Sequence, residues 1–100
     1  MNELKTITFD WDEGNLGHAT RKGLTKDDIE YVLKNDPMVR PDRYPIDVEE
    51  RWNAIGKTQE GRTAFIVFTF REVEEMLCLR PITARYMHRK EIEKYDKQNP

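Results

Sequence analysis

The chain has 100 residues, 37% hydrophobic and 36% charged, with a formal net charge of −2. Its longest apolar run, Ala64 to Phe68, is too short to cross a bilayer, residues 1–20 lack the apolar core of a secretion signal, and Cys78 has no second cysteine to pair with. A helical membrane protein and a disulfide scaffold are thereby excluded, and one thin-cored domain working in reducing cytoplasm is expected.

In chain order, Ile7, Phe9 and Trp11 alternate with Thr6, Thr8 and Asp10, a period of two that predicts an opening strand. A short helix follows over Glu13–Lys22, weakened by Gly14 and Gly17, sparse in apolar residues and ended by Gly23. Thr25 and Asp28 make a capping box for a second helix whose stripe is Ile29, Val32 and Leu33, and Asp36 and Pro37 stop it. Pro37, Pro41 and Pro45 mark the next stretch, to Glu50, as a loop with one short edge strand near Met38–Arg40. Trp52, Ala54 and Ile55 predict a strand, KTQEGR a hairpin turn, and TAFIVFTF a central strand apolar on both faces. REVEE is read as the next turn. Met76–Arg85 is the last strand, where Pro81 requires an edge or a bulge, and His88–Gln98 a charged helix with Ile92 and Tyr95 turned inward. The segments up to Leu4 and after Lys97 read as loose tails. The fold class is α+β: a small antiparallel sheet with two N-terminal helices and one C-terminal helix packed on it.

Charge is distributed unevenly. Residues 1–50 carry 7 basic and 12 acidic side chains, whereas residues 51–100 carry 10 and 7. The second-half excess lies in Arg80–Lys97, which holds Arg80, Arg85, Arg89, Lys90, Lys94 and Lys97, so a polyanion, or an acidic or amphipathic protein segment, is expected to dock there. His18 and His88 lie far apart without a cysteine pair, which leaves no zinc-type spacing, and no metal or other cofactor is expected. No serine is present for a triad, and the glycines form no phosphate loop. Cys78, within MLCL, reads as a small buried hydrophobe, and Trp11 and Trp52 as core.

The strand ITAR running into the helix RYMHRKEIEKY sets Arg85 at a strand-to-helix junction, a place suited to a phosphate. Composition alone favours a plainer reading, in which Arg85 bridges to Glu91 and the helix is a solvated face. Glu91 and Tyr95 share a helix face, as do His18 and Lys22. Glu91 and Tyr95 read as a structural hydrogen-bond cluster or as a catalytic group with its orienter, and His18 with Lys22 as ordinary surface charge or as a phosphate contact; from the residues alone the plainer reading of each is preferred.

In order and spacing, FDWDEGNLGHATRKGL, WNAIGKTQEGRTAFIVFTF and ITARYMHRKEIEKY resemble the BrnT family of bacterial type II toxins over roughly residues 7 to 95. The matching positions are Trp11, Asp12, Gly14, Asn15 and His18, then Ile55, Gly56, Gly61 and Arg62, then Ala84, Arg85, Glu91 and Tyr95. Lys22 stands where the family often has His, and His88 where it often has a Thr or Ser cap. The resemblance implies a RelE-like fold over residues 1–100, metal-independent RNA cleavage through the 2′-hydroxyl, and neutralisation by a BrnA-like ribbon-helix-helix antitoxin, in a homodimer or a toxin–antitoxin heterotetramer. Under it, Arg85 takes the phosphate, His18 is base or acid, Lys22 a second cation, and Tyr95 and Glu91 support them, while Arg80, Arg89 and Lys90 bind RNA. The competing expectation is a non-catalytic module of the same fold that only binds a partner chain or dimerises.

Overall fold

A computed structural model of the chain describes residues 7–42 and 50–98. The element order is α1 (Glu13–Ala19), α2 (Lys26–Lys34), β1 (Met38–Pro41), β2 (Trp52–Lys57), β3 (Thr63–Val73), β4 (Met76–Tyr86) and α3 (Arg89–Gln98). The strands form one antiparallel sheet in the order β1-β2-β3-β4. The α+β class and the three helices are as the sequence predicts. The expected N-terminal tail, residues 99–100 of the C-terminal one, and Pro45 lie outside the described residues, while Gln98 is still in α3.

Both N-terminal helices start in capping boxes. At α2, Thr25 Oγ1 accepts from the Asp28 N–H at 3.0 Å and the Asp28 carboxylate accepts from the Thr25 N–H at 2.9 Å. Its stripe of Ile29, Val32 and Leu33 is buried, each side chain contributing roughly 1.5–3 kcal/mol. The stripe covers β2 so closely that a Cβ on Gly56 would sit 3.1 Å from Val32 Cγ1 and 3.2 Å from Pro37 Cβ. Across the sheet, Ala54, Ile66 and Ala84 pair in register and are all but inaccessible, so small residues flank one large one beneath the helices.

α1 is shorter than its sequence predicts. It ends at Ala19, where Thr20 folds back on Leu16 through both its N–H and its hydroxyl, and Gly23, at φ +111°, turns the chain only after three further residues. Seven residues are too few to hold a helix alone. The support is Asn15, whose side chain completes the cap on Asp12 and whose Nδ2 donates to the Asp10 carbonyl at 3.0 Å and the Pro81 carbonyl at 2.9 Å. Pro81 does sit at an irregularity: Phe68 pairs with Pro81 and Val67 with Thr83, leaving Ile82 as the extra residue of a bulge.

Two expectations are corrected. The opening strand is reduced to one parallel bridge between Phe9 and Leu79, because Asn15 and the Asp12 cap turn the chain into α1 immediately afterwards. REVEE is not a loop: Arg71, Glu72 and Val73 extend β3, and the turn is Glu74 and Glu75 alone, at φ 51° and 69°. Such left-handed pairs suit the twist of a two-residue hairpin but cost non-glycine residues of order 1 kcal/mol or more each. The hairpin consequently extends as an arm in which residues 70–77 are all exposed.

Candidate functional site

The opposite sheet face carries a second registered row, Ile55, Phe65 and Arg85. Alternation along β4 separates Arg85 from buried Ala84 and turns it to this face, at the end where α3 begins. Its guanidinium lies over the Phe65 ring, 4.9 Å from the centroid, and grips Glu91 with both terminal nitrogens, at 2.9 Å and 2.8 Å. One further hydrogen of Nη1 reaches the Tyr86 carbonyl at 3.4 Å. Of five N–H donors, Nε and the second hydrogen of Nη2 have no partner among the described residues, and they lie adjacent along one edge of the plane.

Glu91 has two roles. Besides holding Arg85, it accepts the His88 N–H at 2.8 Å, half of a capping box that serves α3 although His88 offers no hydroxyl cap. The Arg85 hydrogen bonds and then the His88 N–H hold its carboxyl at about 2, and Glu91 in turn raises the Arg85 pKa against the cost of burial. At neutral pH Glu91 is therefore a carboxylate and a poor proton acceptor, fit to orient rather than to titrate. Arg85, Glu91 and Tyr95 come together as the sequence predicts, in a cleft of about 460 Å³ also lined by Arg40, Ile55, Phe65, Met87 and Lys94.

His18 is elsewhere. It is exposed on α1 and lines a hollow with Gly14, Asn15, Arg71, Arg80 and Ile82 that shares no residue with the Arg85 cleft. Lys22 lies past the end of α1, exposed, so the expected helical pairing with His18 is absent. Arg80 is held between two carboxylates, 3.0 Å from Asp10 and 3.1 Å from Asp12, with Arg71 3.8 Å from Asp10. Burial disfavours the Arg80 charge, but Asp12 and Asp10 outweigh it and raise its pKa; Arg80, followed by the Asn15 N–H, lowers that of Asp12. Arg80 thus clamps the 8–12 segment onto β4, and the local charge is neutral. Arg89 and Lys90 are exposed on the first turn of α3, outside the cleft.

The model of one protein family, described as the ribonuclease toxin BrnT of type II toxin-antitoxin systems, matches residues 11–91. The chain belongs to the BrnT family. No curated protein matches it. As a BrnT-family member it is a ribonuclease toxin, with RNA as target and an antitoxin as partner. The matched span runs from Trp11, whose Nε1 donates to Glu30 at 2.8 Å, to Glu91 and so includes the Arg85–Glu91 pair; Asp10 and Tyr95 fall just beyond its ends.

Several residues of this BrnT chain were not foreseen as site components. Arg40 and Phe65 reach the cleft only through strand register, which no local pattern specifies. Lys94 carried a signal, lying three residues after Glu91 on a helix and so on its face. Asp10 and Asp12, the partners of Arg80, lie 70 and 68 positions away in sequence. No helix among the described residues is long and apolar enough to cross a membrane.

Proposed function

We propose that the chain cleaves RNA in the Arg85 cleft, in the cytoplasm and without a metal ion, using its own cations on the scissile phosphate. The observation that carries this is the Arg85 guanidinium, fixed by Glu91 and Phe65 with one edge of donors unused by the described residues. A phosphate seated on that edge receives two parallel hydrogen bonds. The ribose 2′-oxygen attacks the adjacent phosphorus as its proton passes to solvent, and Arg85 with Lys94 and Arg40 balances the growing negative charge. The bond to the 5′-oxygen breaks and the Tyr95 hydroxyl protonates it, leaving a 2′,3′-cyclic phosphate and a 5′-hydroxyl. The step uses no residue of the His18 hollow. A BrnA-like ribbon-helix-helix antitoxin, acting in a toxin–antitoxin heterotetramer, silences it.

The test is Arg85→Ala, assayed for growth arrest and for cleavage of a defined RNA, with circular dichroism and a melting curve as controls. The expected result is a folded variant whose cleavage falls at least about a hundredfold, as when a preorganised transition-state donor is lost. A second reading, a binding module in which Arg85 only ties α3 to β4, is favoured by the two-toothed Glu91 pair. It predicts that the wild type cleaves nothing and that Arg85→Ala shows only a lowered melting temperature.

A further inference from the structure

The arm of β3 and β4 has no use in the cleft. Cross-strand pairing puts Phe70 and Glu72 of β3 on one face with Leu79 and Leu77 of β4. That face continues the core outward: the Phe70 ring stands edge-on to Phe68 and Trp52, with centroids 5.7 Å and 6.3 Å apart. It then runs into solvent, leaving Phe70 45% and Leu77 68% exposed, while Val73 and Met76 are exposed at the tip. An apolar strip of this kind, left exposed by the described residues, marks an interaction surface. Its rim is acidic. Glu72, Glu74 and Glu75 have no cation paired with them among the described residues, and Arg71, next to Glu72 in β3, faces Asp10. Two of these glutamates occupy the left-handed turn, a conformation that glycine or asparagine would take more readily.

We propose that this arm is the seat of the antitoxin, and that the occupant is an antitoxin segment whose apolar side chains cover Phe70 and Leu77 while its lysines or arginines meet Glu72, Glu74 and Glu75. Surface and charge both differ from the expectation from sequence, which pointed to an acidic or amphipathic segment on Arg80–Lys97. In the fold, Arg80 of that stretch is already matched by Asp10 and Asp12. The inference rests on the chain being a toxin with a protein antitoxin.

The test is calorimetry of the purified toxin against the protein encoded beside it, comparing wild type, an arm variant carrying Leu77→Lys and Glu72→Lys, and an α3 variant carrying Arg89→Glu and Lys90→Glu. Leu77 and Glu72 are exposed, so the arm variant should fold and cleave RNA like the wild type. Its affinity for the antitoxin should fall by about thirtyfold or more, the scale of losing a central apolar anchor and a charge contact together. The α3 variant should bind like the wild type, and wild-type association should slow with added salt. Wild-type affinity in the arm variant, or loss of binding in the α3 variant alone, would overturn the assignment. So would a change in self-association of the arm variant by sedimentation with antitoxin binding intact, since the arm would then seat a second copy. The readout is binding, so a wild type without ribonuclease activity would count against the proposed function and not against the docking surface.

Discussion

At the scale of single residues, the Arg85–Glu91 pair couples the cleft to pH. Glu91 is held at about 2, below its ordinary 4.5, so the folded chain binds this proton less tightly than the unfolded chain. Its stabilisation is complete above pH 4.5 and disappears as pH falls toward 2. Both side chains are about a third exposed, and solvent screening limits the pair to roughly 0.5–1 kcal/mol. Asp12, lowered by Arg80, acts in the same direction. Replacing Glu91 with Gln should therefore flatten part of the stability loss between pH 4.5 and 2 in urea titrations, leaving the share due to Asp12. In cleavage assays at neutral pH the same variant should lose activity with no shift in the pH profile, because Glu91 positions Arg85 and transfers no proton; a displaced profile would show that it titrates in the reaction. Pairs close in sequence are legible: Arg85 and Glu91, six residues apart, are readable as a bridge. Arg80 is not, since nothing near it in sequence specifies Asp10 and Asp12.

At the scale of elements, α2 and α1 differ in where their stability originates. Thr25, Asp28 and the Ile29, Val32 and Leu33 stripe are local signals, and the structure repeats them nearly residue for residue. α1 depends instead on Asn15 and the Pro81 carbonyl, a contact no window of sequence contains, which is why its end and the opening strand were misread. Asn15→Ala removes the cap on Asp12 and leaves the Asp10 and Pro81 carbonyls without that donor, so it should destabilise the fold by about 2–3 kcal/mol. Urea midpoints at unchanged slope would measure it. Asn15→Asp keeps an oxygen for the cap but not the donor and should be no better. A loss below about 0.5 kcal/mol would mean that α1 is held by other contacts.

At the scale of the whole molecule, the net charge of −2 gives no general attraction to RNA, so recognition depends on a local field. If Arg40, Arg85 and Lys94 each neutralise one phosphate, log affinity for single-stranded RNA should fall with log salt at a slope of about −2, roughly twentyfold between 50 and 200 mM. Anisotropy with a 2′-O-methyl RNA that cannot be cleaved measures this slope directly. With cleavable RNA, excess EDTA should leave the rate unchanged; loss that magnesium restores would overturn the proposed chemistry.

The hydrogen bond from Asn15 to Pro81 spans 66 positions, and it has a kinetic consequence. A seven-residue helix does not persist before its partner exists, and its partner is a bulge that forms only once β4 has zipped onto β3. Closing so long a loop is entropically late, so α1 should be unstructured in the transition state, with the sheet and α2 as its nucleus. Substitutions at Asn15 would then leave the refolding rate nearly untouched and appear almost wholly as faster unfolding. The lifetime of the folded toxin, rather than its rate of formation, is what this one side chain controls.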